Sequence, residues 1–381
     1  MPIHGSVAPG YELVREAFAA NFVEHGEVGA AVAVYAGDRP VVSLFGGLAD
    51  AHSGRAWSDD TIALVFSMTK GLTTTCVHHF AERNGLDLDA RVTRYWPEFG
   101  ASGKGETTLR MLLAHRAGLP TVDAALDMTE ALSWTPVVRA LEQQAPLWPP
   151  GSAHGYHLRT FGWLVGEAFR RITGRTVGRY FADEIAGPLG LDWQLGLPAS
   201  DEPRVARLVT PPAAYHELIA SLPDDFVLKR ALGAPSNLLH YTEMWNEPRL
   251  HAIELPSSNS IARASSVARL YAALLGFGDG PRLLSEESVA AASAEVSRGK
   301  DRVLLIDTAF GSGFQLPPLL PSPVGRRAFG HGGAGGAMSF ADPDASLAFA
   351  YMPNKLRMDP TPDPRTEALA KALYEAHARF A

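Results

Sequence analysis

The sequence predicts an α/β protein of the α+β kind, in which both chain ends build one antiparallel sheet and the middle builds a mostly helical unit. Three observations carry this reading. Short apolar runs of strand character occur near the start of the 381 residues and again near the end. Helical periodicity fills much of the stretch between them. Amphipathic helices flank the strands at both termini, where they can cover a sheet face. A chain of this length holds two or three domain-sized units. The expected division is 1–66 with 262–381 for the sheet unit and 67–261 for a helical unit with long loops. A site between two such units would lie in a cleft, a common place for ligand pockets.

The elements follow in order. Residues 11–25 place Val14, Phe18 and Phe22 on one helical face. The runs GAAVAVYAG and PVVSLFGG are joined by Gly37-Asp38-Arg39-Pro40, which reads as an antiparallel hairpin. Segments 68–84, 107–115, 136–144, 158–173 and 177–187 read as helices between Pro- and Gly-rich loops. The stretch 190–260 holds many prolines and little periodicity, and is expected to form surface excursions around the site. Helices return at 263–276 and 285–296. Then TAFGSGFQL, RRAFGHGG, AMSFAD and SLAFAYMPN read as strands, and Asp363 to Phe380 as a closing helix.

Hydrophobic content of 46% and charged content of 20% are those of a globular protein, and a net charge of −7 argues against nucleic acid or an anionic membrane surface as partner. The opening MPIHGSVAPGYELVREAF lacks a basic start followed by an apolar run, so no signal peptide is expected and the cytoplasm is the expected location. No stretch approaches the roughly eighteen apolar residues of a spanning helix. The one cysteine, Cys76, lies in an apolar helical run and reads as a small buried hydrophobe.

Ser-x-x-Lys occurs twice, as Ser67-Met-Thr-Lys70 and as Ser297-Arg-Gly-Lys300. Before Ser67 the run IALVF is apolar, and a helix begins at or just after the serine. Lys70 then lies one turn on, on the same face, where a buried amine with lowered pKa can take the serine proton. Ser297 lies in the charged, glycine-broken VSRGKDR at an expected helix end, with both side chains solvated, and is assigned to chance. Further along, Tyr156 stands just before an amphipathic helix, where a tyrosine near a lysine can serve as general base. Near the end, FGHGGAGG offers a strand edge with little side-chain bulk, able to aim an N–H at a reacting carbonyl.

Taken together, Ser67-x-x-Lys70, the Tyr-x-x at Tyr156 before a helix that ends near TGRT, LLAHRAGLP between them, and the late HGG resemble the serine β-lactamase and penicillin-binding-protein superfamily. The likeness extends to LDLDARVTRYWPEF and FADPDASLAFAYMPN and so spans most of the chain. It is greatest to the class C β-lactamase branch and its family VIII carboxylesterases. The resemblance implies that Ser67 is the acylated nucleophile, with Lys70 and Tyr156 as its base pair. It implies an oxyanion hole from the backbone N–H groups of Ser67 and Ala334. It places His331, Gly332 and Gly333 where the family has Lys-Thr-Gly, and Leu158 where the β-lactamases have asparagine.

Leu158 removes the amide that holds a lactam's acyl amide. His331 replaces a fixed positive charge by a group mostly neutral at pH 7. Both changes favour esters over lactams, so the expected activity is hydrolysis of small carboxylic esters, of short acyl chain, without metal or organic cofactor. β-Lactamase, D-aminopeptidase and acyltransferase chemistry, or a non-catalytic penicillin-binding-like protein, are the alternatives.

Other patterns point elsewhere on less. Gly330-His-Gly-Gly-Ala-Gly335 matches a dinucleotide fingerprint, but a strand rather than a helix follows it. No G-x-S-x-G is present. His78, His79, His154 and His157 lack an accompanying metal pattern and read as surface or core histidines, and His115 as a structural one. Trp134, Trp148, Trp193 and Trp245 fit core packing at least as well as an aromatic pocket.

Overall fold

Side-chain alternation decides which way the sheet faces. The computed structural model describes residues 2–278, 280–358 and 362–379. Its main strands are β1 Ile3–Val7, β2 Gly29–Ala36, β3 Arg39–Asp50, β4 Ser297–Lys300, β5 Asp307–Phe310, β6 Phe329–Gly332, β7 Met338–Asp342 and β8 Leu347–Pro353. The large sheet runs β1-β3-β2-β8-β7-β6, antiparallel throughout, so the two chain ends meet where Val32 pairs Tyr351. The strands β4 and β5 form their own antiparallel pair.

Because side chains alternate along a strand, Val32, Val34, Leu44, Phe349 and Tyr351 share one face. There they meet Val14 and Phe18 of helix α1 (Glu12–Glu24), and Leu369 and Leu373 of a C-terminal helix at Pro364–His377. The opposite face offers Ala31, Ala33, Ala348 and Ala350. Small residues there let the helix Ala264–Leu274, with Val267 and Leu270, pack directly on the strands. Arg365 of the C-terminal helix pairs with Glu27 at 2.9 Å, both closed off from solvent, which ties that helix to the approach of β2.

Two helices position the site. Helix α2 (Thr69–Asn84) stops at Gly85, whose φ of 65° suits glycine. Helix α3 (Thr160–Thr173) stops at Gly174 in the same way, with φ of 71°. The hairpin of β2 and β3, the C-terminal strands and the terminal helices agree with the sequence reading; Phe380 lies outside the described residues.

Three readings need correction. The edge strand β1 was not anticipated, because IHGSV is short and its alternation is broken by glycine. The stretch 190–260 is not merely surface excursions. It contains helices at Ala213–Ser221, Val227–Gly233 and Pro248–Ala252, and its end, with Trp245, Leu250 and Ser257 to Ser260, is buried. Ser297 is not at a solvated helix end. It opens strand β4, is buried, and donates to the Ala114 carbonyl at 2.9 Å. On a strand, residues three apart point to opposite faces, so Lys300 is exposed and cannot serve Ser297.

Candidate active site

The turn that carries Ser67 is anchored on both sides. The short strand Ala63–Leu64 pairs with Ile261–Ala262, and a single tight turn, Phe66–Met68, leads into α2. From residue 61 to residue 79 every residue is buried except Ser67. Phe66 adopts φ 44°, an uncommon conformation for a bulky residue. It is held by edge-on packing against Tyr241 and Trp245, with ring centroids 5.1 and 5.3 Å away. Such local strain clusters at functional sites.

Lys70 lies one turn into the chain from Ser67 and is fully buried. Its Nζ sits 3.0 Å from Ser67 Oγ, 2.8 Å from the Leu158 carbonyl and 2.9 Å from the Ser257 carbonyl. Burial holds its pKa well below the ordinary lysine range, and the nearby Arg159 charge lowers it further. A neutral amine has two hydrogens and one lone pair. In that form the two carbonyls would take the hydrogens and leave the lone pair toward the serine hydroxyl.

Tyr156 packs face to face on Phe310, and Lys70 Nζ lies 4.9 Å from its ring centroid. Its hydroxyl is buried with no hydrogen bond of good geometry among the described residues. Burial pushes its pKa up, against a smaller lowering by the neighbouring Ser67 hydroxyl. Burial thus works against the charged form of both groups, the phenolate of the tyrosine and the ammonium of the lysine. The backbone N–H of Tyr156 is fixed by Asp301, whose two carboxylate oxygens lie 3.1 and 3.0 Å away. Below the ring, His115 accepts from the His157 N–H with Nδ1 at 3.2 Å, a structural role as the sequence suggested. His157 donates from Nδ1 to the Gly155 carbonyl and accepts from the Leu119 N–H with Nε2, so it is a neutral imidazole.

The facing edge is β6 and the turn after it. Gly333 lies so close to the serine turn that a Cβ there would come within 2.3 Å of the Val65 carbonyl. Its N–H is taken by the Ala337 carbonyl at 2.8 Å, and that of Gly332 by Gln315 Oε1 at 2.7 Å. The N–H groups of Ser67 and Ala334 donate to no other backbone or side-chain group among the described residues. His331 is enclosed: its Nδ1 bonds the Gly332 carbonyl at 2.7 Å, and its Nε2 has no partner among the described residues. Burial lowers its pKa to about 3, with a smaller lowering from the neighbouring Lys70. Leu158 is buried too, and what it presents to the site is its carbonyl.

Ser67, Lys70, Tyr156, Leu158 and the HGG edge thus come together. The remaining candidates do not join them. Cys76 is buried in α2. His78 bonds the Ser312 carbonyl, His79 the Tyr180 hydroxyl and His154 the Thr308 hydroxyl, all as core groups. Trp193 and Trp245 are core residues. A cleft of about 1140 Å³ bordered by Val289, Arg298, Leu316 and Phe329 touches none of the candidate residues. Sequence reasoning missed Asp301, Ser257 and Arg159, which no local motif marks.

Known proteins resemble the chain over most of its length. The family model described as Beta-lactamase matches residues 14–374. The chain is 34% identical over 367 residues to the Mycobacterium tuberculosis protein named Esterase/beta-lactamase LipL, covering 93% of this chain and 83% of that one. Among solved structures it is similar to a family VIII carboxylesterase, at 35% identity and TM-score 0.89 over 99% of this chain and 100% of the other. It is also similar to EstA from Arthrobacter nitroguajacolicus Rue61a, at 33% identity and TM-score 0.88 over the full length of both. With a model match across nearly the whole length and a serine–lysine–tyrosine cluster at its centre, the chain belongs to the beta-lactamase family.

Proposed function

We propose that this protein is a serine hydrolase that cleaves carboxylic esters through an acyl-serine intermediate, at the seam between a sheet unit (1–66 with 262–381) and a helical unit (67–261). The observation that carries this is the buried Lys70 amine, held by two carbonyls with its Nζ 3.0 Å from Ser67 Oγ, where burial favours the neutral form that can accept a proton. Lys70 takes the Ser67 proton as Oγ forms a bond to the ester carbonyl carbon. The carbonyl oxygen becomes an oxyanion against the N–H groups of Ser67 and Ala334. Tyr156, which holds its proton, donates it to the departing alkoxide and recovers one from Lys70, so the alcohol leaves neutral and both groups reset. A water then repeats the sequence on the acyl-serine, releasing the carboxylic acid. The pair titrates as a unit.

Esters are favoured over lactams by Leu158 and His331, which present neither an amide nor a cation to a lactam. His331 is closed off and uncharged, so a substrate meets the backbone edge of Gly332 to Ala334 rather than the imidazole. The names of the similar proteins, esterases and carboxylesterases, point the same way. One of those names also includes beta-lactamase, which keeps lactam hydrolysis as the second reading.

The test compares 4-nitrophenyl acetate, 4-nitrophenyl butyrate and nitrocefin with wild type and Ser67→Ala. Ester turnover far above nitrocefin turnover, and lost in the variant, is expected. Nitrocefin turnover equal to that of the esters would transfer the assignment to lactams.

A further inference from the structure

Arg159 precedes α3 and is only 2% exposed, yet it belongs to no ion pair among the described residues. Of its N–H groups, only Nη2 reaches an acceptor among the described residues, the Leu239 carbonyl at 3.0 Å, and Nε is buried without one. The guanidinium lies over the rings of Tyr241 and Trp245, at 4.8 and 4.7 Å. Ring faces offset part of the cost of burying a cation, but an unpaired buried charge with open donors remains expensive.

Its neighbours place it at the site. The same two rings grip Phe66, the residue before Ser67. The Arg159 carbonyl accepts from Ser257 Oγ, and the carbonyls of Ser257 and Leu158, one on either side of that contact, hold Lys70. The charge is felt by Lys70, Tyr156, Tyr215 and His240. None of those groups is an anion. A guanidinium with unused donors, on the residue next to the Leu158 carbonyl that holds Lys70 and with no counter-ion among the described residues, is built to receive a carboxylate.

We propose that Arg159 is a specificity residue, and that the ester cleaved here is a half-ester of a dicarboxylic acid whose free carboxylate docks on this guanidinium. This rests on the ester-hydrolase reading of the same site. It adds that one end of the substrate is hydrolysed at Ser67 while the other end, ionised, is held at Arg159.

The experiment compares mono-4-nitrophenyl adipate with 4-nitrophenyl hexanoate, which differ in the terminal carboxylate. With wild type, kcat/KM is expected to be on the order of tenfold higher for the half-ester, from KM, the size of one charge-assisted contact. Added salt lowers that advantage. In Arg159→Met both substrates slow, the half-ester by at least about tenfold more. Equal kcat/KM for the two esters in wild type, or a preference retained in the variant, overturns the proposal. Binding of free adipate against hexanoate, followed by calorimetry on wild type, answers without turnover or a folded variant. Tighter adipate binding supports the site, and equal or weaker binding overturns it. Absence of turnover of both esters would instead count against the hydrolase reading, with the adipate measurement still deciding the role of Arg159.

Discussion

Asp301 accepts the backbone N–H of Tyr156 with both carboxylate oxygens across a sequence separation of 145 residues. The same carboxylate receives the N–H groups of Val303 and Leu304, both at 2.8 Å, and the Thr308 hydroxyl at 3.3 Å. The loop between β4 and β5 is thereby folded around the residue that sets the height of Tyr156. Asp301→Ala strands these donors in a buried place, and each hydrogen bond to a charged group is worth about 1.5–3 kcal/mol. The expected result is a loss of several kcal/mol by urea unfolding, with kcat falling more than KM rises. Asp301→Asn, which keeps one acceptor oxygen, is expected to recover part of both.

The pH dependence of kcat/KM reports Lys70. Its folded pKa is depressed, so ester turnover rises as pH climbs through a value well below the usual ~10.4 of a free lysine. Arg159 contributes to that depression. Arg159→Met is therefore expected to move the acid limb to higher pH. A limb that stays in place in the variant would contradict the electrostatic link.

Buried histidines set the acid stability. His157 is lowered by burial to about 4 and His331, by burial and then Lys70, to about 3, from an ordinary 6.5. Above pH 6.5 both states hold these rings neutral and nothing is lost. As pH falls below that value the unfolded chain protonates them and the folded one does not, so unfolding gains on the order of 3 kcal/mol for each. Urea midpoints measured from pH 7 to pH 4 should fall steeply, and His157→Gln should flatten the slope.

Gly333 has no room for a side chain. A methyl group would sit 2.3 Å from the Val65 carbonyl and force apart the serine turn and the Ala334 turn. Gly333→Ala is expected to lower kcat about a hundredfold, the size of a lost oxyanion donor, while far-ultraviolet circular dichroism stays unchanged.

What the sequence made legible was local. Ser67 and Lys70 stand one helical turn apart, and the apolar run before them marked the buried turn. The hairpin 29–50 and the terminal helices announced themselves by period. What stayed hidden depends on contacts far apart in the chain. Ser257 meets Lys70 across 187 residues through a backbone carbonyl, which any residue type supplies. Asp301 sits in a charged stretch that reads as a solvated loop until the fold buries it. Leu158 was read by its side chain, whereas its carbonyl is what holds the lysine. Ser297 shows the reverse case, a motif with the right spacing on the wrong element.

The central claim is that Ser67 becomes acylated. Treating the protein with a 4-nitrophenyl phosphonate ester and locating the adduct by peptide mass spectrometry tests this most directly. One phosphonyl group per chain, on the peptide containing Ser67 and absent from Ser67→Ala, is the result expected. Labelling at another residue, or labelling of Ser67→Ala at the wild-type rate, would contradict it.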